Sequence, residues 1–291
     1  MSWTEPQWSG PCNAFGAKLV PDVLSEAHMN WHRILVILLA LGTPPAAMAC
    51  GVSTDCAVAT GTYRISLPDA PPTGAAVFAH GYQGSAAGTM KNTSLRDMAA
   101  RRGLALIALD AGDDDWNLPD APHDSVSARD EMAYLDAVVA DATQRFGIDR
   151  GRVVITGFSA GGMFVWNVIC VRGNAYAGYV SYSGTFWKGP PTTCAAPAQN
   201  VIHVHGTSDR TVPMQGRAIA DTRQGSVPDA LAMYAAAKRF APGKGYVLAD
   251  MTCSHSANAE GKRLDLCLFD GDHSFTAKRL GAALDRLLAG G

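Results

Sequence analysis

The chain has 291 residues, 47% of them apolar and 17% charged, with a formal net charge of −2. A chain of this length buries a sizeable core. Near-neutral charge without a Lys/Arg run excludes nucleic acid or an anionic membrane surface as the main partner and points to an uncharged substrate.

At the N-terminus, Met29-Asn30-Trp31-His32-Arg33 precedes the apolar run from Ile34 to Leu41, followed by Pro44-Pro45 and Ala47-Met48-Ala49. A basic start, an apolar centre too short for a bilayer core of about 30 Å, and an A-x-A site make up a secretory signal peptide. Residues 29–49 are therefore expected to be a signal peptide, and residues 1–28 an extension upstream of the true start at Met29. A long n-region or a signal anchor is the competing reading. Cleavage after Ala49 leaves Cys50 at the new N-terminus. No Leu stands three positions before it, so a soluble exported form, extracellular or periplasmic, is favoured over a lipid anchor. Cys12 falls in the upstream segment, and Cys50, Cys56, Cys170, Cys194, Cys253 and Cys267 make an even set suited to an oxidising compartment. Pairing Cys50 with Cys56, Cys170 with Cys194 and Cys253 with Cys267 closes the shortest loops, although six cysteines alone leave other connectivities open.

From about Thr60 onward, short apolar runs alternate with helical patterns, the signature of a parallel sheet covered on both faces. Strands are predicted over Thr62–Leu67, Ala75–Ala79, Leu104–Leu109, Arg152–Thr156, Ala177–Tyr182, Val201–His205 and Leu264–Phe269. The clearest helix runs from about Ser127 to Phe146, with Met132, Leu135, Val138, Val139, Ala142 and Phe146 on one face and Gly147 as its stop. No repeat or Pro/Gly-rich linker divides residues 50–291, which read as one α/β domain.

Gly157-Phe158-Ser159-Ala160-Gly161-Gly162 reads as G-x-S-x-G between a strand and a helix. Small residues there allow a sharp turn that exposes Ser159 at a helix N-terminus, whose free N–H groups face the reacting oxygen. In an open α/β sheet, functional groups gather at the carboxyl ends of strands, and three further strand ends supply partners. After Ala79 comes His80-Gly81-Tyr82-Gln83-Gly84-Ser85, where the N–H of Tyr82, with that of Ala160, forms a candidate oxyanion hole. After His205 comes Gly206-Thr207-Ser208-Asp209, making Asp209 the candidate triad acid. After Phe269 comes Asp270-Gly271-Asp272-His273-Ser274-Phe275, making His273 the candidate base. Nucleophile, acid and base follow the chain order Ser, Asp, His of this architecture.

Asp270 and Asp272 lie too close in sequence to His273 to orient it from behind. His203 reads as a core histidine, His205 and His80 as supports for their turns, and His123 and His255 as loop residues. Trp116, Phe186 and Trp187 fall near strand ends and form a candidate apolar platform for substrate, against the plainer reading of core or surface aromatics. The Asp113-Asp114-Asp115 run lacks EF-hand spacing and reads as a solvated loop, so no metal site is expected.

With these residues in place, the chain resembles the secreted α/β-hydrolase esterases grouped with polyhydroxybutyrate depolymerases and feruloyl or acetylxylan esterases. The stretch from Phe146 to Met163 is especially similar, and the turns at His80, at His205 to Asp209 and at His273 extend the likeness over most of residues 50–291. The resemblance implies an α/β-hydrolase fold and a cofactor-free carboxylic-ester hydrolase acting on a polyester or an ester-decorated polysaccharide. One departure is the histidine loop: the family often carries Gly-His followed by Trp-Pro, whereas this chain has Asp272-His273-Ser274-Phe275. Acyl transfer by the same triad, and a non-catalytic binding protein on the same scaffold, are the alternatives. The sequence specifies neither the oligomeric state nor the acyl and alcohol groups.

Overall fold

The apolar runs become the centre of one sheet. The computed structural model describes residues 50–112, 115–122 and 128–289, all within a compact unit of Ala47–Gly291. The expected signal peptide over residues 29–49, with Cys12, Asp113, Asp114, His123 and Ser127, lies outside the described residues. In chain order the elements are β1 (Cys56–Val58), β2 (Gly61–Ser66), β3 (Gly74–Ala79), α1 (Ala86–Lys91), α2 (Thr93–Ala100), β4 (Leu104–Leu109), α3 (Glu131–Phe146), β5 (Val153–Phe158), α4 (Ala160–Arg172) and β6 (Gly178–Tyr182). There follow β7 (Val201–Gly206), β8 (Ala218–Ile219), β9 (Thr222–Arg223), α5 (Val227–Lys238), β10 (Ala241–Pro242), β11 (Tyr246–Leu248), β12 (Met251–Ala257), β13 (Arg263–Phe269) and α6 (Ala277–Leu288).

The sheet order is β1-β2-β4-β3-β5-β6-β7-β13-β12-β10, with β11 pairing β12. Strands β4, β3, β5, β6, β7 and β13 run parallel. Antiparallel neighbours close both ends, β2 against β4 and β12 against β13. The period-2 alternation of a strand sorts the side chains. In β3, Ala75, Val77 and Ala79 enter one core with Val138 of α3, Phe164 of α4 and Tyr234 of α5. Ala76 and Phe78 enter the other, with Met90 of α1, Met98 of α2 and Leu284 of α6. A side chain as fully buried as Phe164 contributes about 2 kcal/mol over its exposed state.

The three expected disulfides form, Cys50–Cys56, Cys170–Cys194 and Cys253–Cys267. The last joins directly paired positions of β12 and β13. Helix α3 ends at Gly147 in the left-handed region as predicted, but begins at Glu131 rather than near Ser127. Asp130 sets that start by accepting the N–H groups of Met132 and Ala133 at 2.9 and 3.0 Å. The flank formed by β10, β11 and β12 was not predicted, because β12 is Met-Thr-Cys-Ser-His-Ser-Ala, alternating in burial and poor in β-branched residues. His255 consequently sits in a strand, not a loop, and its Nδ1 faces the buried carboxylate of Asp265 at 2.5 Å. Among the described residues no helix is long and apolar enough to cross a membrane.

Candidate active site

Ser159 stands where β5 turns into α4, with φ 58° and ψ −120°. Such a backbone is costly for a residue with a Cβ and persists because its surroundings hold it. The Ser159 N–H donates to the Tyr182 carbonyl of the neighbouring strand at 2.9 Å. The motif's glycines are required by close approach: a Cβ at Gly157 would lie 2.2 Å from the Gly161 carbonyl oxygen, and one at Gly161 2.0 Å from that of Ala79. The Ser159 hydroxyl makes no capping bond to α4 and is left for other work.

The turn after β3 closes over this corner, so near that a Cβ on Gly81 would lie 3.3 Å from Ser159 Cβ. Ala160 opens α4, so its N–H has no partner within the helix. Tyr82, Ser159 and Ala160 line one cavity of about 240 Å³ with Met163, Trp187, Val212, Ile219, Thr211, Arg217 and Gln224. His80 is buried and holds its turn in place: its Nδ1 bonds the Gly81 carbonyl at 2.8 Å and its Nε2 accepts the Ala111 N–H at 3.2 Å. Those partners fix a neutral tautomer, and burial holds the imidazole below its ordinary pKa.

Asp209 and His273 come from turns after β7 and β13, which are adjacent in the sheet. The turns are stitched together by Thr207 N–H to the Phe269 carbonyl at 2.9 Å and Ser208 N–H to that of Gly271 at 2.8 Å. His273 Nδ1 lies 2.7 Å from Asp209 Oδ2. Asp209 Oδ1 accepts the N–H groups of Thr211 and Val212 at 2.9 and 2.8 Å. Burial pushes the Asp209 carboxyl up, but the His273 hydrogen bond, the Val212 amide and the charges of His273 and His205 outweigh it and leave the pKa below its ordinary value. Asp209 is therefore ionised at neutral pH. The His273 ring packs on Phe158, the residue before Ser159, with ring centroids 4.7 Å apart. Asp270 and Asp272 are exposed, and the Asp272 carbonyl serves the loop by accepting Ser274 N–H at 2.9 Å.

Two residues after His273, Phe275 packs against Phe78, Phe158 and Tyr182 at 5.3, 5.6 and 5.2 Å between centroids. An aromatic cluster thus anchors the histidine loop. Behind Asp209 runs a buried chain of imidazoles. Trp166 Nε1–H faces His203 Nδ1 at 3.3 Å, His203 Nε2 faces His205 Nδ1 at 3.0 Å, and His205 Nε2 faces the Val212 carbonyl at 2.8 Å. His203 is thus the core histidine expected, and His205 supports the turn that carries Asp209.

The three aromatics proposed as a platform separate. Trp116 is 1% exposed, donates its Nε1–H to the His80 carbonyl at 2.8 Å and packs on Phe164. Phe186 is buried against Trp166. Trp187 alone of the three lines the cavity beside Ser159. A larger hollow of about 590 Å³, lined by Arg101, Arg102 and Lys278 between α2 and α6, contains none of Ser159, Asp209 and His273. Thr211, Arg217, Ile219 and Gln224 were missed from the sequence because they converge from a stretch without periodicity, where only the two-residue strands β8 and β9 form. Among the described residues no group of three or more His, Cys, Asp or Glu side chains is placed to hold a metal ion.

The chain has the α/β-hydrolase fold, with a strained serine at the strand-to-helix turn and an aspartate–histidine pair on the loops beside it. It superposes on an S-formylglutathione hydrolase of Agrobacterium tumefaciens with a TM-score of 0.54 at 15% identity, covering 80% of this chain and 94% of that one. The family model described as Phospholipase/Carboxylesterase matches residues 112–227, which include Ser159 and Asp209 but neither His80 nor His273. Over 186 residues the chain is 28% identical to NocK of Nocardia uniformis subsp. tsuyamanensis, a protein named as an esterase, covering 60% of this chain and 54% of that protein. Over 88 residues it is 30% identical to a bifunctional acetylxylan esterase/xylanase of Neocallimastix patriciarum, covering 29% of this chain and 12% of that protein. The match thus spans about half the length of the first relative and a small part of the second.

Proposed function

We propose that the protein is a serine carboxylic-ester hydrolase working through an acyl-enzyme. The observation that carries this reading is the 2.7 Å contact between His273 Nδ1 and the buried, ionised Asp209, on loops beside the strained Ser159. With Nδ1–H donated to Asp209, His273 keeps Nε2 as an acceptor, the tautomer a general base needs. His273 takes the proton as Ser159 Oγ attacks the ester carbonyl, and the Tyr82 and Ala160 N–H groups hold the oxyanion. The protonated His273 then gives that proton to the leaving alcohol, freeing the acyl-enzyme. Water attacks the acyl carbon with His273 again as base, and the acid leaves as Ser159 regains its proton. No step calls on a cofactor.

The names of the two relatives and of the matching family support the ester as substrate. The natural substrate is a polyhydroxybutyrate-like polyester or an ester-decorated polysaccharide, and a cavity of about 240 Å³ suits a short acyl or alkyl group. Export through residues 29–49 accords with the three disulfides. Hydrolysis of p-nitrophenyl butyrate, polyhydroxybutyrate granules and an acetylated or feruloylated xylan, run side by side, tests the reading. Hydrolysis of the nitrophenyl ester and at least one polymer is expected. Activity on none of them, or activity equal in Ser159→Ala, would overturn it.

A further inference from the structure

Among the described residues that line the cavity holding Ser159, Arg217 is the one cation. Its backbone is built in: Gly216, at φ 70°, passes so close to the returning strand that a Cβ there would lie 2.1 Å from the Gln224 carbonyl oxygen. The Gln224 N–H in turn bonds the Arg217 carbonyl at 2.9 Å. The side chain is pinned as well, since Nε donates to the Thr211 carbonyl at 2.9 Å and faces buried Gln224 Oε1 at 3.3 Å. The residue as a whole is exposed, and with Nε engaged its terminal Nη1/Nη2 edge is left for another partner. Among the described residues neither Nη has a hydrogen-bond partner, and Arg217 is in no ion pair.

The acid on the same wall, Asp115, is not the missing partner. Its Oδ1 accepts the Trp116 N–H at 2.8 Å, and its carboxylate is not free. Met163, Trp187, Val212 and Ile219 give the cavity a largely apolar lining, and the Thr211 N–H is held by Asp209. A pre-oriented guanidinium fork over an apolar floor is the arrangement that takes a carboxylate in two parallel hydrogen bonds. The near-neutral charge of the whole chain pointed to an uncharged substrate; the proposal departs from that expectation because recognition here rests on one fixed group rather than on net charge.

Resting on the assignment of Ser159 as nucleophile, we propose that the ester cleaved at Ser159 carries a carboxylate, held by the Arg217 terminal fork, a few bonds from the scissile carbonyl. The carboxylate belongs either to the acyl half, as in a monoester of a dicarboxylic acid, or to the alcohol half, as at the free end of a hydroxy-acid oligomer.

Two matched pairs of esters separate these sources. Monoethyl succinate against ethyl pentanoate places the charge on the acyl side, and 4-acetoxybutanoate against pentyl acetate places it on the alcohol side. Rates are followed by pH-stat, and kcat/KM is compared as the acid-to-neutral ratio within a pair, so that any general loss in a variant cancels. The wild-type protein is expected to prefer the acid ester by tenfold or more in at least one pair, the pair identifying the half that bears the charge. Arg217→Gln is expected to lower that ratio at least tenfold, and Arg217→Lys, which keeps the charge without the fork, to lower it less. Neutral esters hydrolysed better than acid ones in both pairs, or a ratio unchanged in Arg217→Gln, would overturn the proposal while leaving the esterase reading intact. Hydrolysis of none of the four esters, with no Ser159-dependent labelling by an active-site probe, would instead overturn the esterase reading and this proposal with it.

Discussion

Asp209 has a fully buried side chain, yet its charge is met on every side by donors: two backbone N–H groups on Oδ1 and His273 on Oδ2. A buried carboxylate is tolerated only when it is satisfied in this way. Asp209→Asn keeps the shape but presents His273 with an amide, which favours the wrong tautomer. Its kcat/KM on a nitrophenyl ester should fall by roughly 10³- to 10⁴-fold, with far-UV circular dichroism unchanged. A fall of less than tenfold would remove Asp209 from the orienting role. Gly161 is bound by geometry of another kind. Because a methyl there would sit 2.0 Å from the Ala79 carbonyl oxygen, Gly161→Ala should destabilise the fold by about 2 kcal/mol or more, read as a lower urea midpoint. An unchanged midpoint would contradict the close packing of α4 on β3.

At the scale of elements, the central strands were legible in the sequence and the flank was not, for one physical reason. Strands buried on both faces, such as β4 with Leu-Ala-Leu-Ile-Ala-Leu, must be apolar throughout and leave continuous runs. Strand β12 is stabilised by its antiparallel partners and by Cys253–Cys267 rather than by its own composition, so it leaves little pattern to read. The same contrast divides the site. Ser159, Asp209 and His273 each follow a readable strand, whereas the Arg217 and Gln224 side of the cavity depends on how an aperiodic segment folds back. Disulfides of 14- and 24-residue separation should each contribute roughly 3 kcal/mol by constraining the unfolded chain. The protein from Cys50 onward should therefore titrate with no free thiol in guanidinium before reduction, and its melting temperature should fall on reduction. Two or more free thiols would refute the pairing.

Among the described residues, three imidazoles are buried. His80, His203 and His205 are all held below the usual pKa, first of all by burial, and His203 furthest. When the chain unfolds, each binds a proton near pH 6.5, whereas in the folded state it stays neutral until lower pH. The unfolded state then holds more protons, so stability is full above about pH 6.5 and declines as the pH falls below it. Asp209, with its pKa depressed, acts in the same direction at more acid pH, its contribution being lost as pH falls through the folded value. Urea midpoints should be lower at pH 5.5 than at pH 7.5, and an equal or higher midpoint at pH 5.5 would contradict neutral burial of these histidines.

The proposed esterase site stands on Ser159, His273 and Asp209 acting together on this hydrolase fold. The most direct measurement is labelling with a fluorophosphonate, followed by peptide mass mapping, in the wild-type protein and in Ser159→Ala and His273→Ala. One phosphonylated residue is expected, Ser159, with labelling abolished in the first variant and strongly slowed in the second. A wild-type protein that remains unlabelled, or is labelled equally in Ser159→Ala, would contradict it.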